Sequence, residues 1–564
     1  MKFSEYKYEK PDLDKIKKEI NALLEQFNDS KSASEQVEII GQINKIRGNF
    51  GTMFNIGSIN YSIDTNNKFY EDAKNFFDEN SPVFTGIINN FYKNLLKSKF
   101  RSELEKHYGP LFFKTIELSL KSFSPEIIED MKKENALSTE YGKLTASAKI
   151  MFEGEERNIA GLAPFMLSTD RGIRKAANDA KWKFYADNSA ELDRIFDDLV
   201  KVRNEMAIKL GYKNFIEMGY ARLYRTDYGQ EQVNIFRNAV HKFIVPLTTK
   251  LRKRQAERLG LAKIMYYDAG LDFNSGNAAP KGSPDWIVDN AKKMYEDLSG
   301  ETSEFINFML DRELMDLVNK KGKEGGGYCT FIEDYKSPFI FSNFNGTADD
   351  VTVLTHEAGH AFQAYCSRNI EVPEYQSPTM EACEIHSMSM ELITWPWMNL
   401  FFKEDTDKFK FSAMATSLCF IPYGTAVDEF QHKVYENPEM TPAERNAAWR
   451  EVESKYLPDL NYDSNEFLQS GGRWQHQRHI YEMPFYYIDY CLAQICAYQF
   501  WKKSTDDMAK AMKDYISLCE AGGTKSFLNL LNVAKINSPF DESSLQKSIA
   551  YVDEWLETID DKKF

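Results

Sequence analysis

The feature that most limits what this 564-residue chain can fold into is helical periodicity sustained along its length with few breakers. Charged segments carrying apolar residues at three- and four-residue spacing recur, as in Glu191-Leu192-Asp193-Arg194-Ile195-Phe196-Asp197-Asp198-Leu199-Val200. That spacing lines one face of a helix with hydrophobic side chains. Only 18 prolines and 29 glycines punctuate the chain, too few for an all-β sandwich with frequent turns. The expectation is a mainly α protein. Strand signals are few. Lys143 to Phe152, followed by Glu153-Gly154-Glu155-Glu156, predicts a hairpin, and the aromatic stretch from Ser337 to Phe344, bounded by Pro338 and Gly346, predicts a short strand. Gly270 to Ser283 reads as a loop.

Composition narrows the function. Hydrophobic residues are 43% and charged residues 27%, ordinary for a soluble globular protein. A net charge of -15 argues against nucleic acid as a partner, since phosphate neutralisation needs a basic surface. The polar start Met1-Lys2-Phe3-Ser4-Glu5 resembles no leader, and no apolar run reaches membrane-spanning length, so no membrane partner is expected. Seven scattered cysteines without a Cys-x-x-Cys pair read as reduced thiols of a cytoplasmic protein. Any metal must then be held by histidines and carboxylates. Seven of the eight histidines lie beyond position 240, so chemistry is expected in the C-terminal part. The expected division is an N-terminal helical lobe over 1–200 and a catalytic region over 201–564.

The chemistry concentrates in His356-Glu357-Ala358-Gly359-His360. Two histidines four apart differ by about 40° on a helix and point at one ion, while Glu357 is turned toward water bound there. Zinc lowers the pKa of such water toward about 7, and the glutamate can take its proton and pass it to the leaving amine. Upstream, Thr347-x-x-Asp350 predicts a capping box at the start of the helix. Gln363 and Cys366 stand where a metzincin carries Gly and His, and Thr379 and Met380 stand where a thermolysin-like site carries Glu, so both spacings are excluded. The candidates for a third ligand are Glu371, Glu374, Glu381, Glu384 and Glu391. Thr379 to Ile393 looks helical, which puts Glu384 and Glu391 on one face; one can ligate and the other hold a ligand histidine. Spacing favours Glu384, with Glu381 next. His386 lies about 200° round the helix from Glu384 and is not expected to share the metal. His107, His241 and His432, among charged neighbours, read as surface residues, and Arg473 beside Gly471-Gly472 reads as half of a structural ion pair.

The stretch from His356 to Gln363, the stretch Cys383-Glu384-Ile385-His386-Ser387-Met388-Ser389-Met390-Glu391, and the stretch from His479 to Tyr490 resemble the thimet oligopeptidase and oligoendopeptidase F family of zinc metallopeptidases. The resemblance covers nearly the whole chain. It implies a two-lobed helical shell around a deep substrate channel, with a small sheet near the active site. It implies one Zn2+ per chain, held by His356, His360 and Glu384, with Glu391 supporting a ligand and Glu357 as base. It also implies that His479, Tyr486 and Tyr490 meet substrate and oxyanion, with His476 and Tyr487 as competitors. An oxyanion needs such donors, for which a phenol or an imidazole N–H serves. Gly325-Gly326-Gly327 and Phe339 to Asn343 resemble the family's glycine loop and adjacent strand, which would make Gly326, Gly327, Phe341 and Asn343 substrate contacts through an available strand edge. The expected activity is endopeptidase cleavage of oligopeptides. An exopeptidase would need an ion-pairing anchor for a peptide terminus, and none is recognisable in the sequence. A structural zinc would take four protein ligands, whereas this set leaves a position for water.

Overall fold

The computed structural model describes all 564 residues, and 72% of them are helical. The N-terminal helices Leu13–Asp29, Ala33–Ile63 and Lys68–Leu96 start where the sequence supplies acceptors for free backbone N–H groups. Asp12 takes Lys15 N, Ser32 takes Glu35 N and Asn67 takes Phe69 N. With the helices Arg101–Tyr108 and Pro110–Lys121 they enclose a small core of Ile20, Phe27, Ile43, Phe91, Phe112 and Ile116. Tyr375, far along the chain, enters that core; its hydroxyl accepts from Phe112 N at 2.8 Å and donates to Tyr108 O at 2.7 Å. A second, much larger core holds Trp449, Trp474, Tyr481 and Tyr515; most of it comes from helix Ser189–Lys209 onward, and Ile56, Ile59, Leu137, Tyr141, Trp182 and Tyr185 join it from earlier helices. The expected boundary at 200 falls inside Ser189–Lys209, whose Ile195 and Phe196 pack into this large core.

The sheets are small. Ile150–Phe152 pairs antiparallel with Glu155–Arg157 across Glu153 (φ 50°) and Gly154 (φ 79°), the two left-handed residues that a tight hairpin turn requires. The hairpin is shorter than expected, because helix Ile128–Ala146 continues through Lys143. In the three-stranded sheet Ser337–Phe344 is central, parallel to Met315–Val318 on one side and antiparallel to Tyr328–Ile332 on the other. The expected peptide-pairing edge therefore does not lie on this strand, both of whose edges are used within the sheet; the sheet's outer edges belong to Met315–Val318 and to Tyr328–Ile332, the strand that follows the glycine loop. No helix is long and apolar enough to cross a membrane, and all seven cysteines are free.

Two local expectations fail. Helix Asp349–Ser367 begins without a side-chain cap; Asp350 turns back to take Asn345 N (2.8 Å) and Gly346 N (2.9 Å), and Thr347 bonds Asn345 instead. His432 is buried, not on the surface: its Nε2 lies 3.2 Å from the Tyr220 hydroxyl and its Nδ1 3.0 Å from Asp428 O. His107 and His241 are exposed as expected.

Candidate active site and metal centre

Helix Asp349–Ser367 carries His356, Glu357 and His360, and helix Met380–Ile393 crosses it with Glu384 and Glu391 facing the histidines. The helices meet at backbone contact. A Cβ on Gly359 would lie 2.6 Å from His386 O and from Ser387 Cα, so only glycine permits this approach. Glu384 Oε2 then sits 3.3 Å from His356 Nε2 and 3.5 Å from His360 Nε2. These three donor atoms lie within 4.8 Å of one another. Glu391 Oε1 is 2.7 Å from His356 Nδ1. A proton on Nδ1 donated to Glu391 leaves the Nε2 lone pair directed at the shared point.

The electrostatics suit a cation. Burial opposes charge on Glu384, yet the neighbouring His360 and His356 outweigh it and hold its carboxyl well below the usual range. Burial likewise disfavours a charged His356, but Glu384 and Glu391 together pull a proton onto it. A pocket that attracts a proton so strongly attracts a metal ion for the same reason, and two imidazoles with one carboxylate form a donor set that zinc accepts. Glu357 is 5% exposed, and its Oε2 has no hydrogen-bond partner, an orphan that a water at the metal would satisfy. Burial raises the Glu357 carboxyl, against the two histidines. The residues present therefore fit the implied metal.

His479, Tyr486 and Tyr490 come to the same place by a different construction. Gln477 donates Nε2–H to His479 Nδ1 at 2.8 Å, and its carbonyl is fixed by the Tyr423 hydroxyl at 2.8 Å. The proton of His479 is thus on Nε2, 3.4 Å from the Tyr490 hydroxyl. Burial, assisted by Arg478, lowers the His479 pKa to about 4, so the ring is a neutral donor near neutral pH. Tyr486 gives its hydroxyl proton to Glu384 Oε1, which orients the ligand and leaves Tyr490 the freer phenol. The turn that presents both tyrosines has Phe485 at φ 68°, a costly conformation for a non-glycine residue. Gln431 Oε1 accepts from Phe485 N at 3.0 Å, and Arg225 Nη2 donates at 2.6 Å both to Phe485 O and to Asp489 Oδ1. The Phe485 ring lies against Gly219, where a Cβ would come within 2.7 Å.

Some expected residues fall elsewhere. Gly327 packs against the base, since a Cβ there would be 3.3 Å from Glu357 Oε1; Gly326 (φ 93°) faces open space. Phe341 is fully buried with its ring stacked on Tyr328 at 4.8 Å, so its side chain is core and not a substrate contact. Asn343 donates to Glu324 O and Gly326 O, both at 2.8 Å, and braces the glycine loop instead of facing a ligand. His476 bonds Arg473 O away from the centre, and Arg473 pairs with Glu453 at 3.1 Å as expected. The Tyr487 ring lies tilted beside His479, with centroids 4.9 Å apart. His386 is buried and outside the ligand set. Sequence reasoning missed Gln477, Tyr423, Gln431 and Arg225; none carries a motif, and only the tertiary contacts assign them. Beside the centre opens a cavity of about 780 Å3 lined by Thr352, Glu391, His479, Tyr487 and Tyr490 among others.

Two histidines and a glutamate converging beside a buried free carboxylate define a metallopeptidase-type centre. The chain belongs to peptidase family M3: its family model matches residues 165–279 and 301–549, and the Peptidase M3 N-terminal domain matches residues 3–123. Among solved structures, one described as PZ peptidase A with inhibitor 2 is 54% identical with a TM-score of 0.98, over 100% of both chains. A Bacillus anthracis str. Ames protein, provisionally named oligoendopeptidase F, is 53% identical with a TM-score of 0.94, over 100% of this chain and 99% of the other. The oligopeptidase PepF of Bacillus subtilis (strain 168) is 22% identical over 90% of this chain and 78% of its own length. The protein is a peptidase of the oligopeptidase type.

Proposed function

We propose that this chain is a zinc-dependent endopeptidase of short oligopeptides, with His356, His360 and Glu384 as ligands and Glu357 as general base. The observation that carries the reading is the convergence of the three donor atoms within 4.8 Å beside the unpartnered Glu357 carboxylate. Zinc held by these residues supplies Lewis acidity, polarising a scissile carbonyl and acidifying water. Glu357, whose affinity for a proton is raised by burial, takes a proton from water and delivers it to the leaving amine. Neutral His479, through Nε2–H, and Tyr490, through its hydroxyl, donate hydrogen bonds to the developing oxyanion. Glu391 keeps His356 in the ligating tautomer, and Tyr486 keeps Glu384 in place. Gly327, bare of a side chain, lets the glycine loop lie against Glu357 without crowding its carboxylate.

The names of the relatives, oligopeptidase PepF and oligoendopeptidase F, agree with short peptides as substrates. The test is cleavage of a peptide blocked at both ends, which an endopeptidase cuts and a terminus-dependent enzyme does not. Glu357→Gln should retain zinc by elemental analysis while kcat falls by about 10²–10⁴-fold. Undiminished turnover in that variant would sink the assignment of the base.

A further inference from the structure

One wall of the cavity beside the metal centre takes no part in the chemistry proposed above. It is formed by helix Val245–Leu259 and the loop that follows, and its polar side chains include Arg252, Gln255, Arg258 and Asp272. Among the charged groups that face the cavity, Glu391 is engaged by His356. Arg258 pairs with Asp561 and lies 3.9 Å from Asp272. Arg252 is partly buried in the cavity wall and forms no direct ion pair; Asp272 is the carboxylate that feels its charge. Its guanidinium is held in position on one side alone: Nη1 donates to Gln255 Oε1 at 2.7 Å and to Ala269 O at 3.0 Å. Gln255, 3% exposed, is itself locked by donating Nε2–H to Leu271 O at 2.8 Å and Ala269 O at 3.2 Å. Nε and Nη2 take no partner from the protein. A guanidinium fixed by a buried amide, bonded to no carboxylate and with two N–H faces uncommitted toward a cavity shared with the catalytic groups, is a receptor for a planar anion.

We propose that Arg252 binds a carboxylate of the peptide substrate, supplied by the C-terminal α-carboxylate or by an acidic side chain. The inference rests on the peptidase reading above and adds a substrate anchor to it. Asp272 and Asp349 face the same cavity; burial raises both carboxyls, while Arg258 and Arg252 favour the charged form of Asp272, so an incoming anion competes with Asp272 for the Arg252 charge. An anchor of this kind sets the register of the peptide relative to Glu357, so that substrates are ranked by the distance between the carboxylate and the scissile bond.

The test uses two matched pairs of short peptides with the same scissile bond. One pair ends in a free acid or an amide; the other, amidated throughout, carries Glu or Gln at one position after the scissile bond. The readout is the ratio of kcat/KM within each pair for wild type, Arg252→Gln and Arg252→Lys. In the wild type at least one pair should show a ratio of about tenfold, as loss of a charge-assisted hydrogen bond implies. The pair that shows it identifies the source of the carboxylate. In Arg252→Gln the ratio should collapse to about one, with Arg252→Lys between. Ratios near one in the wild type, or a ratio that survives in Arg252→Gln, would overturn the anchor while leaving the hydrolytic reading intact. Failure of the wild type to cut any of the four peptides would instead overturn the hydrolytic reading, and the anchor with it.

Discussion

The two halves of the active site are built on opposite principles. The metal half comes from two helices, and its donors are spaced by helix geometry: positions 356 and 360 on one, 384 and 391 on the other. The tyrosine half comes from a turn with Phe485 in a left-handed conformation, pinned from outside by Arg225 and Gln431, while Gln477 orients His479 beside it. The first half needs one close helix crossing. The second needs a buried ion pair, two amides and a glycine, drawn from the turn's own segment and from two distant ones, one containing Gly219 and Arg225 and the other Gln431. Regular structure carries positional information locally, whereas a strained turn stores it in remote partners.

If this contrast is right, damage to one half should leave the other measurable. The largest effect is expected for Arg225→Met, which leaves Asp489 buried without its partner; both side chains are fully buried. Unfolding in denaturant should show a loss of about 3–5 kcal/mol, and kcat should fall while zinc stoichiometry holds. Loss of bound zinc in the folded variant would mean that the halves are coupled. Next, Tyr490→Phe should lower kcat by about 10²–10³-fold with KM little changed, as for removal of one oxyanion donor. In the other direction, Glu391→Gln should weaken zinc binding by about 10–100-fold in a chelator competition, without altering the response to Tyr490→Phe. The smallest effect is a null. His479 has its pKa lowered from 6.5 to about 4, so the folded state holds it neutral between about pH 5 and 8. His479→Gln should lower activity, yet the acid limb of the kcat profile should stay where it was. The associated contribution to stability is complete above the ordinary histidine range and declines as pH falls from 6.5 toward 4.

The same contrast explains what the sequence revealed. The helical character, the strand at Ser337–Phe344 and the convergence of His356, His360 and Glu384 follow from periodicity, spacing and family resemblance. Thr347 misled because its capping pattern competes with an Asn345–Asp350 network that closes the preceding loop first. His432 misled because its helix buries a polar face, where Asp428 is met by Arg237 at 3.1 Å from another helix. Phe341 misled because the strand it occupies is the middle of its sheet, so its ring fills the core. Arg225 gave no signal at all, since it acts on Phe485 and Asp489, residues chosen by the fold and not by sequence distance.

The glycine between the two zinc-motif residues Glu357 and His360 has a consequence beyond its own contact. A methyl group at Gly359 would collide with the backbone of His386 and Ser387, the residues just after Glu384. Glu384 therefore reaches the two histidines only because the motif's interior is bare. The variable positions of a His-Glu-x-x-His motif thus act as a spacer gauge: their bulk decides how near a second helix can come, and so which carboxylate completes the site. In this chain the gauge is set to zero, and the partner it selects is the helix that begins at Met380.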